Sequence, residues 1–202
     1  MTRIGVLALQ GDFAEHVSVL RRLGSEAQEV RRPEELSGLD GLIIPGGEST
    51  TICRLMEDYE LAEPLRRLGQ DSFPVWGTCA GMIVLARHAS DLEWPTLAAL
   101  DITVRRNAFG RQVDSFETDL SVPSLGAAPF HAVFIRAPTV EEAGEGVEVL
   151  ATLEDGRMVA VRQGNALATA FHPELTDDDR FHRYFLKLVR ARETETRRDA
   201  RR

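Results

Sequence analysis

Residues 75–85 read Val-Trp-Gly-Thr-Cys-Ala-Gly-Met-Ile-Val-Leu (VWGTCAGMIVL), and this order decides the architecture. The apolar pair Val75-Trp76 runs into Gly77, Cys79 follows between two small residues, and an apolar helical run begins at Ala80. The pattern is a strand turning sharply into a helix, the unit from which α/β sheets are wound. A side chain held at such a turn projects at the carboxyl edge of a parallel sheet, where ligand clefts form. Gly77-Thr78-Cys79-Ala80-Gly81 has the composition of a nucleophile elbow with sulfur replacing oxygen, its small residues letting backbone and substrate approach closely. The helix that follows sets the positive end of its dipole beside Cys79 and favours thiolate. A buried cysteine packed after a strand is the other reading that the pentapeptide permits.

Outward from this turn, the first half of the chain alternates strand and helix. "RIGVLAL" (3–9) is nearly all apolar, as a strand buried on both faces must be. Asp12, with Glu15 three residues on, reads as an N-cap for a helix whose face is Phe13, Val17 and Leu20 and which ends at Gly24. "AQEV" and "GLIIP" read as strands, "TTICRLMEDY" and "LAEPLRRLG" as helices, "PVW" as a fourth strand, and "AGMIVLARHA" as the helix after Cys79. Such alternation implies right-handed crossovers and a parallel sheet covered on both faces. In the second half, "SFETDLSV", "FHAVFIRA", "VEVLATL", "RMVAVRQ" and "ALATAFH" are strand-like, with hairpin turns at Asp155-Gly156 and Gly164-Asn165. A last helix is expected from near Thr176, with Phe181, Phe185, Leu188 and Val189 on one side. The expectation is a single-domain three-layer α/β sandwich over residues 1–192, its central sheet mostly parallel, with antiparallel additions in the second half. Residues 193–202, charged with both signs and without an apolar stripe, read as a disordered tail.

Composition bounds the function. The chain has 202 residues, 43% hydrophobic and 28% charged, the proportions of one ordinary soluble domain. Its net charge of −8 argues against a general nucleic-acid binder. No apolar run approaches a membrane span, and the start lacks a signal peptide's pattern, so a cytoplasmic location is expected. Two cysteines, Cys53 and Cys79, make no disulfide framework. Cys53 reads as small-residue packing. His16 is expected at the surface or an interface. His88, His131 and His182 have no Cys or carboxylate at metal-ligand spacing, so neither a metal nor a cofactor is expected.

Two further elements converge on Cys79. "ATAFHPEL" ends the last expected strand with His172, Pro173 and Glu174. In extended backbone, residues i and i+2 point to one side, so Glu174 can orient His172 while the other imidazole nitrogen faces the thiol. "IIPGGEST" exposes backbone N–H groups after strand three, at the same edge. The N–H groups of Gly47 and Ala80 can together stabilise an oxyanion. No Gly-Lys-Ser/Thr follows, which argues against a Walker-type phosphate loop.

Taken together, these elements resemble the class I, triad-type glutamine amidotransferases. "LALQGDFAEH", "PGGESTT", "GTCAGMI", "RRNAFGRQ" and "AFHPEL" narrow the resemblance to the glutaminase subunits of two-protein pyridoxal 5′-phosphate synthases, over residues 4–189. The resemblance implies hydrolysis of L-glutamine to L-glutamate and ammonia, and a synthase subunit as the partner that receives the ammonia. It implies Cys79 as nucleophile, His172 as general base and acid, and Glu174 as its orienter. Gly47, Glu48 and Ser49 would hold glutamine, with Arg106, Ile135 and Arg136 completing the pocket, and Gln10 would couple the oxyanion site to the partner. The residue types suit a zwitterionic substrate independently, since Arg106 offers a cation and Glu48 an anion. Taken alone, Arg106 also reads as a solvated arginine beside Arg105. Competing readings are another triad amidotransferase subunit, a non-catalytic module of the same fold and a cysteine peptidase. The "RNAFGRQ" segment, the intact cysteine and histidine, and the glutamine-pocket motifs argue against them in turn.

Overall fold

The computed structural model describes residues 1–109 and 115–199. The first half contains β1 (Arg3–Leu7), α1 (Phe13–Arg22), β2 (Glu26–Val30), β3 (Gly41–Ile44), α2 (Ser49–Asp58), α3 (Ala62–Gln70), β4 (Val75–Thr78) and α4 (Ala80–Leu85). The second half contains β5 (Ala86–Ala89), β6 (Leu100–Arg105), β7 (Ser115–Leu120), β8 (Phe130–Ile135), β9 (Thr139–Ala143), β10 (Glu148–Thr152), β11 (Met158–Gln163), β12 (Ala166–Thr169) and α5 (Arg180–Asp199). The central sheet runs β2-β1-β3-β4-β12-β11-β9-β6-β5, with β10 paired to β11. Its first five strands are mutually parallel. Antiparallel pairing begins at β12–β11 and continues through β9 to β6. The expected α/β architecture is therefore observed.

Parallel strands end at one edge, so the segments after β1, β3, β4 and β12 meet there. Alternation along β4 sorts its side chains between the two faces. Trp76, wholly buried, packs against Phe181 and Phe185 of α5 and edge-on to His16 of α1. Gly77 faces the opposite side, where α4 lies so close that a Cβ would sit 2.3 Å from the carbonyl oxygen of Gly81. Thr78 returns to the face of Trp76 and meets α1.

Several elements differ from expectation for identifiable reasons. α4 stops at Leu85, and Ala86–Ala89, expected to continue the helix, forms β5 by pairing parallel with β6. β6 alternates Leu100, Ile102 and Val104 with polar residues, and pairing with this strand overrides the helical preference of Ala86–Ala89. β7 and β8 leave the main sheet as a two-stranded ribbon. α5 starts at Arg180, after an irregular stretch, and runs through Asp199. Residues 193–199 are thus helical where a disordered tail was expected, and 200–202 lie outside the described residues. No helix among the described residues is long and apolar enough to cross a membrane.

Candidate active site

The turn at Cys79 is an elbow. Its backbone sits at φ 48° and ψ −104°, a conformation that costs a non-glycine residue about 1–3 kcal/mol. The surrounding packing holds it there. The Cys79 N–H donates to the carbonyl of Thr169 at 2.8 Å, tying the elbow to the end of β12. Gly81 lies so close to β3 that a Cβ would fall 2.0 Å from the carbonyl oxygen of Ile44. Both glycines of the pentapeptide are therefore required by clearance. Cys79 is buried, and its Sγ lies 3.7 Å from the carbonyl oxygen of Ile135.

His172 arrives from the neighbouring strand. β12 ends at Thr169, three residues earlier than expected, and the His172 N–H donates to the carbonyl of Val133 at 2.9 Å. Pro173–Leu175 is a 3₁₀ turn, not extended chain. The turn nonetheless brings Glu174 back, and its Oε1 lies 2.8 Å from His172 Nδ1. Both side chains are nearly inaccessible. Burial opposes a charge on His172, but hydrogen bonding to Asp12, Cys79 and Glu174 prevails and raises its pKa well above the ordinary value. Burial raises the pKa of Glu174, against the lowering effect of His172.

The segment after β1 supplies what sequence reasoning missed. Asp12 makes no side-chain cap bond, contrary to expectation; its Oδ2 lies 3.4 Å from His172 Nδ1. His16, expected at the surface, is fully buried behind Glu174. His16 stands three residues after Phe13, on the same helical face as Val17 and Leu20, so the spacing itself marks it for burial. Asp12, His172 and Glu174 place three ligand-type atoms within 4.8 Å of one another. Within this cluster the shortest contact is the 2.8 Å between His172 Nδ1 and Glu174 Oε1.

Gly46 and Gly47 lie beside these groups. A Cβ on Gly46 would sit 2.4 Å from His172 Cε1, so the imidazole has space only because the residue is glycine. Gly47 adopts φ 154°, and its neighbour Glu48 donates its N–H to Gln10 Oε1 at 2.6 Å. The Gly46 carbonyl accepts the Asp12 N–H at 3.1 Å. Loop and β1–α1 segment are therefore laced together.

A cleft of about 320 Å³ opens above Cys79, within the roughly 300–1,000 Å³ usual for small-molecule sites. Gln10, Gly47, Glu48, Ser49, Cys79, Ala80, Arg106, Ile135 and Arg136, all singled out from sequence, line it. Ile83 and Asn107 join them; Ile83 stands one helical turn beyond Cys79. Glu48 caps α2, accepting the N–H groups of Thr50 at 3.0 Å and Thr51 at 2.7 Å. Burial disfavours its charge, but the bonds from Thr51 and Thr50 prevail and hold its pKa below the usual value. Arg106 Nη2 reaches Glu48 Oε1 at 3.3 Å and Thr50 Oγ1 at 3.2 Å, while Nη1 donates to the carbonyl of Asp91. The guanidinium thus anchors Glu48 instead of standing solvated. Gly110-Arg111-Gln112, the end of the "RRNAFGRQ" motif, lies outside the described residues.

Comparisons with known proteins agree with this geometry. A crystal structure of a glutamine amidotransferase superposes with a TM-score of 0.87 at 56% identity, covering 92% of this chain and 98% of that one. A GMP synthase-type protein from Thermoplasma acidophilum shares the fold, with a TM-score of 0.71 at 19% identity over 98% of each chain. The pyridoxal 5′-phosphate synthase subunit PdxT of Dehalococcoides mccartyi is 62% identical over 190 residues, spanning 93% of this chain and 97% of the relative. The protein of the same name from Corynebacterium jeikeium is 59% identical over 194 residues, spanning 95% and 99%. With relatives at that identity over nearly their whole length, and a match to the family over residues 6–191, the chain belongs to the SNO glutamine amidotransferases.

Proposed function

We propose that this chain is the glutaminase subunit of a pyridoxal 5′-phosphate synthase. It hydrolyses L-glutamine to L-glutamate and ammonia and passes the ammonia to a synthase subunit in a hetero-oligomer, in the cytoplasm. The observation that carries the reading is the elbow cysteine, with a buried His172–Glu174 pair behind it, opening on a cleft that holds Glu48 and Arg106. Neither nucleic acid nor a membrane is a partner in this reading.

The chemistry follows from the groups present. Cys79 Sγ attacks the carboxamide carbon of glutamine, and the negative charge moves to oxygen, which the N–H groups of Gly47 and Ala80 stabilise. His172 delivers the proton taken from the thiol to the amide nitrogen, the C–N bond breaks, and ammonia leaves a glutamyl thioester. Water then attacks this thioester with its proton passing to His172; the C–S bond breaks, glutamate departs and the thiol is restored. Glu174 holds the imidazole in its orientation and balances the imidazolium. Glu48, Ser49, Arg106, Ile135 and Arg136 bind the amino-acid end, and Gln10 links the oxyanion loop to the partner-facing segment. No metal or cofactor enters these steps.

Ammonia release from glutamine tests the reading. Cys79→Ala abolishes it, while Cys53→Ala retains most of it, because burial pushes the Cys53 thiol up to about 11 and leaves it unreactive. Substantial turnover by Cys79→Ala overturns the assignment.

A further inference from the structure

Behind the triad lies a second, wholly buried polar row that the hydrolysis described above does not use. His16 of α1, His182 of α5 and Thr78 of β4 are each completely inaccessible. His16 Nδ1 lies 3.0 Å from His182 Nε2, and His16 Nε2 lies 3.2 Å from Thr78 Oγ1. The same Nε2 is 3.3 Å from Oε2 of Glu174. That oxygen is fully buried and has no aligned hydrogen bond among the described residues, although its partner Oε1 is held by His172. Burial is the main reason that both histidines stay neutral: it holds His16 well below its usual pKa and takes His182 down to about 3.

Neutral imidazoles carry one N–H each, so the row has a direction. Nδ1 of His182 is buried without a partner among the described residues. A buried N–H without an acceptor is rarer and more costly than a bare lone pair, which places the His182 proton on Nε2. His182 then donates to His16 Nδ1, and the His16 proton must stand on Nε2, between Thr78 Oγ1 and Glu174 Oε2. The opposite tautomer would set a ring lone pair against an ionised carboxylate oxygen 3.3 Å away, in a buried place of low polarity.

We infer that His16 is a positioning residue of the catalytic centre, whose Nε2–H, fixed by His182, steadies Oε2 of Glu174 and so keeps Oε1 on His172. It acts on the reaction only through Glu174. The inference rests on the glutaminase reading and deepens it. The row gives a carboxylate buried away from solvent a polar neighbour on its inner side, which favours its ionised form when His172 becomes imidazolium. Groups facing this carboxyl are His172 and Asp12 on the cleft side and His16 from α1, with Cys79 beyond His172. Asp179 and Arg22 act on His182 from the far end with opposite signs.

The test uses the assembled complex with its synthase subunit. His16→Leu keeps the volume and removes the donor; His16→Gln restores a donor at the reach of Nε2. Loss of a group that orients a catalytic residue typically costs about 10–100-fold, so His16→Leu lowers kcat by that factor with KM within about twofold. Its acidic limb of kcat moves to higher pH, because the unsupported carboxyl protonates more readily. His16→Gln recovers most of kcat and returns the limb. Wild-type kcat and an unmoved limb in a folded His16→Leu overturn the inference, as do equal losses in both variants that track only their melting temperatures. Should His16→Leu fail to fold, the imidazole ¹⁵N spectrum of the unsubstituted protein decides. A protonated Nε2 on neutral His16 is the expected result, and a protonated Nδ1 overturns it. If the unsubstituted complex releases no ammonia from glutamine, the glutaminase reading fails instead, while the tautomer still reports on the row.

Discussion

His172 and Glu174 are unequal members of one unit, and the difference is visible in what each touches. In the proposed mechanism His172 is the group that carries protons between thiol, leaving nitrogen and water. His172→Ala therefore removes the acid and the base together, and about 10³-fold or more of kcat is expected to go with them. Glu174 contributes through Nδ1 of His172, at 2.8 Å, and has its other oxygen against His16. Glu174→Gln keeps an amide oxygen that can accept the Nδ1 proton but loses the charge that balances the imidazolium. It should retain clearly more activity than His172→Ala at saturating glutamine. Turnover of the two variants in the same complex is the check, and a wild-type rate for His172→Ala removes the triad from the mechanism.

At the scale of elements, α1 and α5 are joined beside β4 by buried histidines, whose contribution to the pH dependence of stability has a known sign, opposed by Glu174 with its raised pKa. An unfolded histidine takes up its proton near pH 6.5, whereas His182 in the folded protein does so only at about 3. Between these values the unfolded chain binds the extra proton, so stability falls as pH falls, by about 1.4 kcal/mol per pH unit. His16, also shifted down, adds slope of the same sign. His172 is shifted up and is protonated in both states below pH 6.5, so it adds none there. Urea unfolding between pH 6.5 and 5 should show this loss, and His182→Phe should flatten it; an unchanged slope in the variant argues against the assignment. The same elements show what was legible in the sequence. β1, β3 and β4 are short apolar runs because both faces of a parallel sheet are covered, and the elbow announces itself because only small residues clear α4 and β3. β5 and β9 were not legible, since their state is set by pairing with β6 and β11, whereas the alternation of Leu100, Ile102 and Val104 in β6 is a strand signal that the sequence does carry. The cleft residues were named because they lie in compact motifs. Asp12 was misplaced because an acid at a helix start usually caps it, and His16 because residue type outweighed its position on the Phe13–Val17–Leu20 face. Only the fold brings the 3₁₀ turn at Pro173 and helix α1 together around Glu174.

On the scale of the whole molecule, the parallel half of the sheet delivers Gln10, Gly47, Cys79 and His172 to one edge, and the activity should be governed there by the synthase partner. The Gly46 carbonyl is held by Asp12 N–H and the Glu48 N–H by Gln10, so in the proposed mechanism a peptide rotation in the Gly46–Gly47 loop would be coupled to the β1–α1 segment. A partner that binds the competent arrangement preferentially shifts the equilibrium by its differential affinity. Glutamine turnover should rise at least about tenfold at saturating partner, corresponding to about 1.4 kcal/mol. Equal turnover with and without it refutes the coupling. The fate of the product carries the argument one step further. In neutral water ammonia becomes mostly ammonium, which has no lone pair for attack, so a synthase gains by receiving it before it reaches solvent. The cleft must then open toward the partner, with the carboxyl edge at or near the interface. A complex carrying Cys79→Ala should make pyridoxal 5′-phosphate from concentrated ammonium salt but not from glutamine, since only ammonia production is lost. In the unsubstituted complex, an added ammonia-consuming enzyme should barely reduce the pyridoxal 5′-phosphate formed from glutamine, while stopping synthesis from low ammonium. If the scavenger abolishes both, ammonia travels through solvent, and the interface need not cover the mouth of the cleft.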